Sequence, residues 1–271
     1  MTQGTKQRPG LWLHGSSGRM GKEIQKALVE GTAPGLRLVG GSDRTFEGEH
    51  FHQGRPVTAE LLAHALEKDG VDVVIDFSTE DGNGLLLQAV QKSGVRDLAV
   101  LIGTTGLPKS RLDAWKETAK EHGLKLMIAP NTSVGVLMTL MAALRVAAPL
   151  VKIGYDVEIT ETHHRMKKDA PSGTAMFLAN GVADSAELKV KTDRSGAREK
   201  GELGVHAVRG GGVFGEHEIR FLGDNDEVRI SHRAFSRALF ATGALVLAQW
   251  VLKRPAGVYG LLDVSADELA P

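Results

Sequence analysis

The sequence predicts an α/β protein of two domains: a doubly wound parallel sheet in the N-terminal half, and a second, α+β domain with a mostly antiparallel or mixed sheet. Two observations support this prediction. Over residues 11–129, short apolar runs alternate with segments of helical periodicity, as in chains that wind around a parallel sheet. After residue 133 this alternation changes to long apolar segments and closely spaced strand-like runs.

The N-terminal half contains five strand-like runs, several of them next to a glycine. They lie at 11–13, 36–39, 71–77, 98–102 and 124–129. Between them, apolar residues recur every three or four positions, which predicts helices. The expected helices span 20–30, 59–68, 85–92 and 108–122.

The C-terminal half begins with a segment, 134–148, that is apolar on all sides and predicts a buried helix ending at Pro149. A strand is expected at 155–161 and a helix at 172–183. Residues 189–204 are charged and glycine-rich, which predicts a surface loop. The remaining expected elements are three antiparallel strands and a last apolar helix, at 204–209, 213–222, 227–234 and 237–252.

Composition narrows the class of protein. The 271 residues carry 33 basic and 33 acidic side chains, and this zero net charge argues against a nucleic-acid partner. There is no cysteine, which excludes disulfides, thiolate catalysis and iron–sulfur clusters. Residues 1–9 are polar, and the apolar runs at 134–144 and 238–252 are shorter than the roughly 20 residues that span a bilayer. We therefore expect a cytoplasmic protein without a membrane segment.

A glycine loop follows the first strand. Residues 15–21 read Gly-Ser-Ser-Gly-Arg-Met-Gly and open the first helix. In a Rossmann-like fold such a loop lets the backbone approach a pyrophosphate, whose charge the helix N-terminus stabilises. Asp43 follows the second strand, where an acid binds ribose hydroxyls, and the adjacent Arg44 can pair with a 2′-phosphate. The pattern predicts a site for NADH, NADPH or both; the alternative is a simple turn with two exposed charges.

Two more loops follow strands at the same edge of the predicted sheet. They contain Gly103, Thr104 and Thr105, and Ala129, Pro130, Asn131 and Thr132. Ligands of open α/β sheets bind beyond the carboxyl ends of the strands, so we expect both loops to line a nicotinamide ribose. The alternative is that their hydroxyls cap the helices that follow, and both roles are compatible.

The most informative segment is 161–175, Glu-Thr-His-His-Arg-Met-Lys-Lys-Asp-Ala-Pro-Ser-Gly-Thr-Ala. Two histidines and three cations stand together just past a strand, and they repel one another unless an anion is present. Pro171 suits the first position of a helix, so the N–H groups of Gly173 and Thr174 would face that anion. The segment predicts a carboxylate or phosphate pocket, against the alternative of a solvated basic loop. A metal is not expected, because Lys and Arg would repel it.

At this segment the sequence resembles the dihydrodipicolinate (4-hydroxy-tetrahydrodipicolinate) reductase family, and the resemblance covers nearly the whole chain. The shared motifs are Gly-x-x-Gly-Arg-Met-Gly at 15–21, Gly-Thr-Thr-Gly at 103–106, Asn-x-Ser-x-Gly-Val at 131–136, His-His-Arg-x-Lys-x-Asp-Ala-Pro-Ser-Gly-Thr-Ala at 163–175, Arg-x-Gly at 209–211, Gly-Glu-His at 215–217 and Ser-His-Arg-Ala at 231–234. The departures are Ser16 and Ser17, where relatives carry an alanine-containing pair, and Asp43, where several carry Glu. Asp43 leaves the preference between NADH and NADPH open.

The resemblance implies NAD(P)H-dependent reduction of 4-hydroxy-tetrahydrodipicolinate, via dihydrodipicolinate, to tetrahydrodipicolinate in lysine and diaminopimelate biosynthesis, without a metal. It implies His163 as the acid/base group and Lys167 as the proton donor. His164, Gly173 and Thr174 are the implied substrate-carboxylate site. The implied cofactor contacts are Gly15, Ser16, Ser17, Gly18, Arg19, Met20, Asp43, Arg44, Gly103, Thr104, Thr105, Ala129, Pro130, Asn131 and Thr132.

The resemblance also implies a homotetramer. Residues 1–132 and 243–271 would form the dinucleotide-binding domain, and residues 133–242 the substrate-binding and oligomerisation domain. Two other functions stay open: a dehydrogenase of another amino or imino acid, and a non-catalytic cofactor sensor. The complete 163–175 run argues against the first, and the presence of both His163 and Lys167 argues against the second.

Overall fold

The structure is a computed structural model that describes residues 8–31, 35–47 and 54–269. The part of the polar N-terminal segment that precedes residue 8 lies outside these ranges. The chain divides into two compact units. The first is Met1–Ser133 with Phe240–Pro271, and the second is Val134–Leu239.

The described residues form twelve strands and seven α-helices. The strands are β1 (Gly10–His14), β2 (Arg37–Ser42), β3 (Phe46–Glu47), β4 (Val73–Asp76), β5 (Ala99–Ile102), β6 (Lys125–Ile128), β7 (Asp156–His163), β8 (Lys189–Lys191), β9 (Glu202–Arg209), β10 (Glu216–Leu222), β11 (Glu227–Arg233) and β12 (Gly257–Tyr259). The helices are α1 (Arg19–Val29), α2 (Ala59–Lys68), α3 (Glu80–Lys92), α4 (Lys109–His122), α5 (Val134–Lys152), α6 (Gly173–Ala186) and α7 (Ala238–Leu252).

The first unit contains a sheet whose described strands run in the order β12-β6-β5-β4-β1-β2-β3. All neighbouring strands pair in parallel except β2 and β3. Strand β1 is buried along its whole length, as expected for a strand covered on both faces. The chain order reverses on either side of β1, and this switch point is where ligands of doubly wound sheets bind. The predicted α/β class is confirmed.

The second unit contains a mixed sheet, whose described strands run in the order β11-β10-β7-β9-β8. Helices α5 and α6 pack together and contribute to one apolar core with the sheet. Strand β7 alternates strictly, so that Val157, Ile159, Glu161 and His163 are buried while the residues between them are more exposed. Two of these four positions are polar, although they lie on the buried face of the strand.

Strand pairing in this sheet differs from the prediction. Strand β9 pairs in parallel with β7, and not antiparallel to its neighbours in sequence. The cause is the connection through α6, because a helical crossover brings the chain back to the sheet in the same direction as the strand before the helix, which is β7. The segment predicted as a surface loop also contains a short strand, β8, which pairs in parallel with β9.

Helix α5 differs from the prediction in where it ends. It continues through Arg145 and Pro149 to Lys152, because the burial of one face against the core outweighs the backbone hydrogen bond that proline removes. In the described residues α5 is also long and apolar enough to cross a membrane, by length and composition alone, with a mean hydropathy of 2.0. Its buried residues Val136, Leu140 and Ala143 belong to the core of the second unit, which accounts for this composition.

Candidate active site

The glycine loop turns from β1 into α1 under tight steric limits. Gly15 has φ +86°, and a Cβ there would lie 2.5 Å from the carbonyl oxygen of Phe77. A Cβ at Gly21 would lie 2.4 Å from the carbonyl oxygens of both Gly15 and Ser16. Helix α1 therefore packs directly on its own loop. Its N-cap, Gly18, forms no side-chain cap hydrogen bond, so the first-turn N–H groups are suited to an anionic ligand.

Asp43 lies beside this loop. The hydroxyl of Ser17 donates a hydrogen bond to Oδ2 of Asp43 at 2.6 Å. Asp43 directly follows β2, and Arg44 stands next to it. The structure thus brings together the glycine loop and the acid that the sequence places 22 residues beyond Gly21. The link between them is Ser17, one of the two serines by which this sequence departs from the family that it resembles.

A cavity of about 380 Å³ opens at the carboxyl ends of β4, β5 and β6. It is lined by Arg19, Met20, Phe77, Ser78, Gly103, Thr104, Thr105, Pro130, Thr132 and Phe240. Seven of these ten are predicted cofactor contacts. The sequence analysis did not predict Phe77 and Ser78. Both directly follow β4, so their position after a predicted strand could have identified them as cavity residues. The sequence analysis also missed Phe240, which comes from the C-terminal part of the chain and has no local signal.

A buried carboxylate holds the loops around this cavity. Asp76 accepts hydrogen bonds from the N–H and the hydroxyl of Ser78 at Oδ1, at 3.0 and 2.6 Å. At Oδ2 it accepts from Asn83 Nδ2 and Thr104 Oγ1, both at 2.8 Å. The Thr104 hydroxyl therefore does not cap α4, whose N-cap is Pro108.

The second unit carries His163 at the end of β7, inside the strand and not just past it. Its Nδ1 lies 2.5 Å from Oε2 of Glu161, a side chain with no exposed surface. Arg209 donates to both oxygens of Glu161, at 2.6 and 2.9 Å, and the N–H of Ser172 donates at 2.9 Å. Glu161, which the sequence did not single out, is thus the centre of a buried network.

The surroundings lower the pKa of both His163 and Glu161. Burial lowers the pKa of His163, the hydrogen bond to Glu161 opposes that change, and the charges of Lys167 and Arg209 add to it, so that the pKa lies below its usual value. Burial raises the pKa of Glu161, but hydrogen bonds from Arg209, His163 and the Ser172 N–H outweigh it and hold the pKa below the usual value. His163 is therefore neutral and Glu161 ionised at neutral pH.

Lys167 lies in the loop after β7 and forms an ion pair with Asp169 at 2.9 Å. The Asp169 carboxylate also accepts the N–H of Gly173 at the start of α6. Ser172 is the N-cap of this helix, since its Oγ accepts from the Ala175 N–H at 3.1 Å. Pro171 therefore precedes the cap and does not occupy the first helical position. The anion at this helix N-terminus is the chain's own Asp169.

Three further histidines lie in strands of the second unit. His206 interacts with Glu158 through Nε2, at 2.6 Å. His217 is buried, and its Nε2 lies 3.3 Å from Ser172 Oγ. Burial first, and then the nearby His163, lower the pKa of His217 to about 4. Within the described residues, the buried Nδ1 atoms of His217 and His232 have no hydrogen-bond partner. Across the described ranges, no group of three His, Asp or Glu side chains is arranged to hold a metal ion.

A doubly wound sheet with a glycine loop, in one chain with a histidine- and lysine-bearing second unit, defines a two-domain oxidoreductase of the dinucleotide-binding class. Family models described as dihydrodipicolinate reductase match the chain twice, the N-terminus model at residues 10–132 and the C-terminus model at 135–264. The chain belongs to the dihydrodipicolinate reductase family, which confirms the resemblance seen in its motifs.

Individual relatives agree with this assignment. The curated 4-hydroxy-tetrahydrodipicolinate reductase of Myxococcus xanthus is 36% identical over 93% of this chain and 96% of its own length. That of Alkalilimnicola ehrlichii is 38% identical over 92% of this chain and 96% of its own length. The solved dipicolinate-bound dihydrodipicolinate reductase from Paenisporosarcina sp. TG-14 covers 96% of this chain and 100% of its own, with 24% identity and a TM-score of 0.74, so the fold is shared.

Proposed function

We propose that this protein reduces 4-hydroxy-tetrahydrodipicolinate to tetrahydrodipicolinate with NADH or NADPH, in lysine and diaminopimelate biosynthesis. The observation that carries the proposal is the complete run from His163 to Ala175, in a chain that aligns with curated reductases over nearly their whole length. Both His163 and Lys167 are present, which favours an enzyme over a cofactor sensor. A cytoplasmic location is part of the proposal, because a reductase of this kind draws on the soluble nicotinamide pool.

The residues of the first unit fit a dinucleotide. The uncapped N-terminus of α1 suits the pyrophosphate, and the Ser17–Asp43 pair suits the adenosine ribose. The cavity beside Thr104 and Thr132 suits the nicotinamide end. Arg44 beside Asp43 would allow the 2′-phosphate of NADPH, so the proposal includes both cofactors. The bound nicotinamide would supply a hydride.

The second unit would hold the substrate and deliver the proton. The substrate is a cyclic imine with two carboxylates, and loss of water leaves a C=C conjugated with the C=N. Net reduction adds a hydride to one alkene carbon and a proton to the other. Lys167, whose side chain is 24% exposed, is the proposed donor of that proton, and His163 assists it as a relay that takes up a proton and passes it on. Cations around the site stabilise the charge that develops.

A substrate carboxylate would bind where Asp169 now lies. Asp169 already pairs with Lys167 and with the N–H of Gly173, and these two donors suit a carboxylate. His164 and Thr174 flank it in sequence and complete the proposed carboxylate site. Displacement of Asp169 by substrate would release the Lys167 ammonium for proton transfer.

A homotetramer is also proposed. Helices α5 and α6 cover one face of the second sheet, whereas the other face carries exposed side chains such as His206, Arg229 and Arg233. Light scattering on the purified protein tests this: a mass near 29.0 kDa would show a monomer and contradict the proposal.

The test of function is the loss of reduced-nicotinamide absorbance, with substrate made in place from pyruvate and aspartate semialdehyde by the preceding synthase. NADH and NADPH are run in parallel, and omission of the synthase is the control. Rapid, synthase-dependent oxidation is expected. A folded protein that binds NADH yet oxidises neither cofactor would overturn the proposal, and the ratio of the two rates measures what Asp43 and Arg44 select.

A further inference from the structure

We propose that Glu161 is a positioning residue for His163: with Arg209, it holds the ring in the tautomer that has hydrogen on Nδ1 and leaves Nε2 as a proton acceptor. The kinetic part of this inference rests on the proposed reductase function. The structural part, which concerns the tautomer and orientation of one ring, is independent of it.

The hydrogen bonds around Glu161 determine the tautomer. An ionised carboxylate can only accept, so the 2.5 Å contact between Glu161 Oε2 and His163 Nδ1 requires that Nδ1 carry the hydrogen. Arg209 and the Ser172 N–H supply the other donors, so that each oxygen of Glu161 accepts twice. In the neutral ring the lone pair then lies on Nε2.

Packing fixes the orientation of the same ring. The His217 ring stands edge-on to it, with centroids 5.2 Å apart and an angle of 76°. A Cβ at Gly215 would come within 3.0 Å of His163 Nε2, so the glycine keeps the space at this nitrogen open. Rotation of the ring by half a turn would break the Nδ1 bond to Glu161. Nε2 is therefore the nitrogen that can take up a proton from a donor group and pass it on.

Glu161 also fastens both ends of the loop that carries Lys167. The N–H of Ser172 bonds directly to its carboxylate, and Arg209, held by the same carboxylate, donates to the backbone oxygen of Asp169 at 2.6 Å. Asp169 in turn pairs with Lys167. One buried carboxylate thus connects the end of β7, the loop and the start of α6, so the proposed acid/base groups share one support.

The opposite face of β7 offers a matched control. Glu158 lies three residues earlier on the same strand and interacts with a histidine, His206, and with Arg194 in a similar pattern. Glu158→Gln removes a carboxylate from the same strand without touching the ring of His163. A general loss of strand stability would appear in both variants, whereas loss of positioning would appear only in Glu161→Gln.

The charged and titratable groups facing His163 are Glu161 on its own strand, Arg209 on β9, His217 on β10 and Lys167 on the following loop. Of these, Glu161 alone raises the pKa of His163. Glu161→Gln leaves the charge of Arg209 uncompensated, so the pKa of His163 falls further. If neutral His163 is the active form, the acid limb of the kcat profile moves to lower pH, while kcat at its optimum falls because the ring is no longer held.

The experiment combines nitrogen NMR of ¹⁵N-histidine-labelled protein with steady-state kinetics, and His163→Gln assigns the signal. In the wild type and in Glu158→Gln we expect hydrogen on Nδ1 of His163, and in Glu161→Gln a shift towards the other tautomer. Glu161→Gln should lower kcat at least about tenfold, with KM for the cofactor within about twofold. In the His163→Gln background the same change should lower kcat by a smaller factor than in the wild type, because the part of its effect that passes through His163 is already lost.

The two proposals fail in different ways. A wild type that oxidises neither cofactor overturns the reductase function but leaves the tautomer measurement valid. Hydrogen on Nε2 of His163 in the folded wild type overturns the positioning role, whether or not any variant folds. Equal kcat and pH profiles for Glu161→Gln and the wild type overturn it as well. Glu161→Asp, which keeps the charge on a shorter arm, should recover part of the lost kcat.

Discussion

The buried carboxylate of Asp76 gives a sharp test of how the cofactor-side loops are held. The change is Asp76→Asn, which keeps the size and shape of the side chain but turns one acceptor oxygen into an NH₂ donor. All four groups that face Asp76 donate to it: the N–H and hydroxyl of Ser78, Asn83 Nδ2 and Thr104 Oγ1. The hydroxyls of Ser78 and Thr104 can turn and accept instead. The backbone N–H of Ser78 and the side-chain NH₂ of Asn83 can only donate.

Either orientation of the new amide therefore leaves two donors facing each other. Placed towards Ser78, the NH₂ meets a backbone N–H. Placed towards Asn83, it meets an amide that cannot flip, because Asn83 Oδ1 accepts from Trp115 Nε1 at 3.0 Å. A lost hydrogen bond to a charged acceptor costs about 1.5–3 kcal/mol, and an unsatisfied buried donor costs about 1–3 kcal/mol. We expect the free energy of unfolding to fall by about 3 kcal/mol.

Urea unfolding followed by tryptophan fluorescence measures this change, since the buried Trp12 and Trp115 report on the same unit. The expected effect is a midpoint lowered by roughly 1 M. Asp113→Asn is the control, because the ion pairs of Asp113 with Lys109 and Lys116 lie at the surface, where water screens them and they contribute little to stability. Cofactor affinity should fall in Asp76→Asn alone, because Ser78 and Thr104 line the cavity. An unfolding free energy within about 1 kcal/mol of the wild type would refute the argument.

Three further predictions follow from the same contacts. Lys167→Ala should lower kcat about 100-fold or more while the NADH dissociation constant, measured by fluorescence titration, stays within about twofold; a large loss of binding would contradict its role as proton donor. Gly21→Ala places a Cβ 2.4 Å from two backbone oxygens, so Tm and NADH affinity should both fall, whereas Gly18→Ala, whose Cβ would lie 3.2 Å from one backbone oxygen, should lower Tm much less; equal melting temperatures for the two variants would be the contrary result. His217 has a folded-state pKa of about 4 against 6.5 for an unperturbed histidine, so its contribution to stability is complete above pH 6.5 and is lost as pH falls, by about 3 kcal/mol at pH 4. Urea midpoints between pH 4 and 6.5 should depend less on pH in His217→Asn than in the wild type. The same dependence of the midpoint on pH in both proteins would contradict the argument from burial. The titratable groups facing His217 are His163, Glu161, His232 and Lys167.

Local periodicity was enough to predict most elements of the first unit. Helix α2 begins and ends at the predicted residues, 59 and 68, because its apolar positions recur with helical spacing and Thr58 caps it. The glycine loop could be predicted equally well, since the close contacts that require Gly21 are with Gly15 and Ser16 of the same loop. The run at 163–175 was enough to indicate the family, because its order of residues is specific.

Tertiary structure decided the contacts between distant residues. The parallel pairing of β7 with β9 brings Arg209 to Glu161 across 48 residues. The Arg-x-Gly motif at 209–211 marks this arginine but does not indicate its partner. Phe240 reaches the cavity from the far end of the chain in the same way. The sequence by itself determined which groups can do the chemistry, through spacing and residue type. Strand order and helical crossovers determined that the buried carboxylate of Glu161 positions these groups. The reason is that strand pairing depends on the topology of the chain, and local periodicity contains no information about topology.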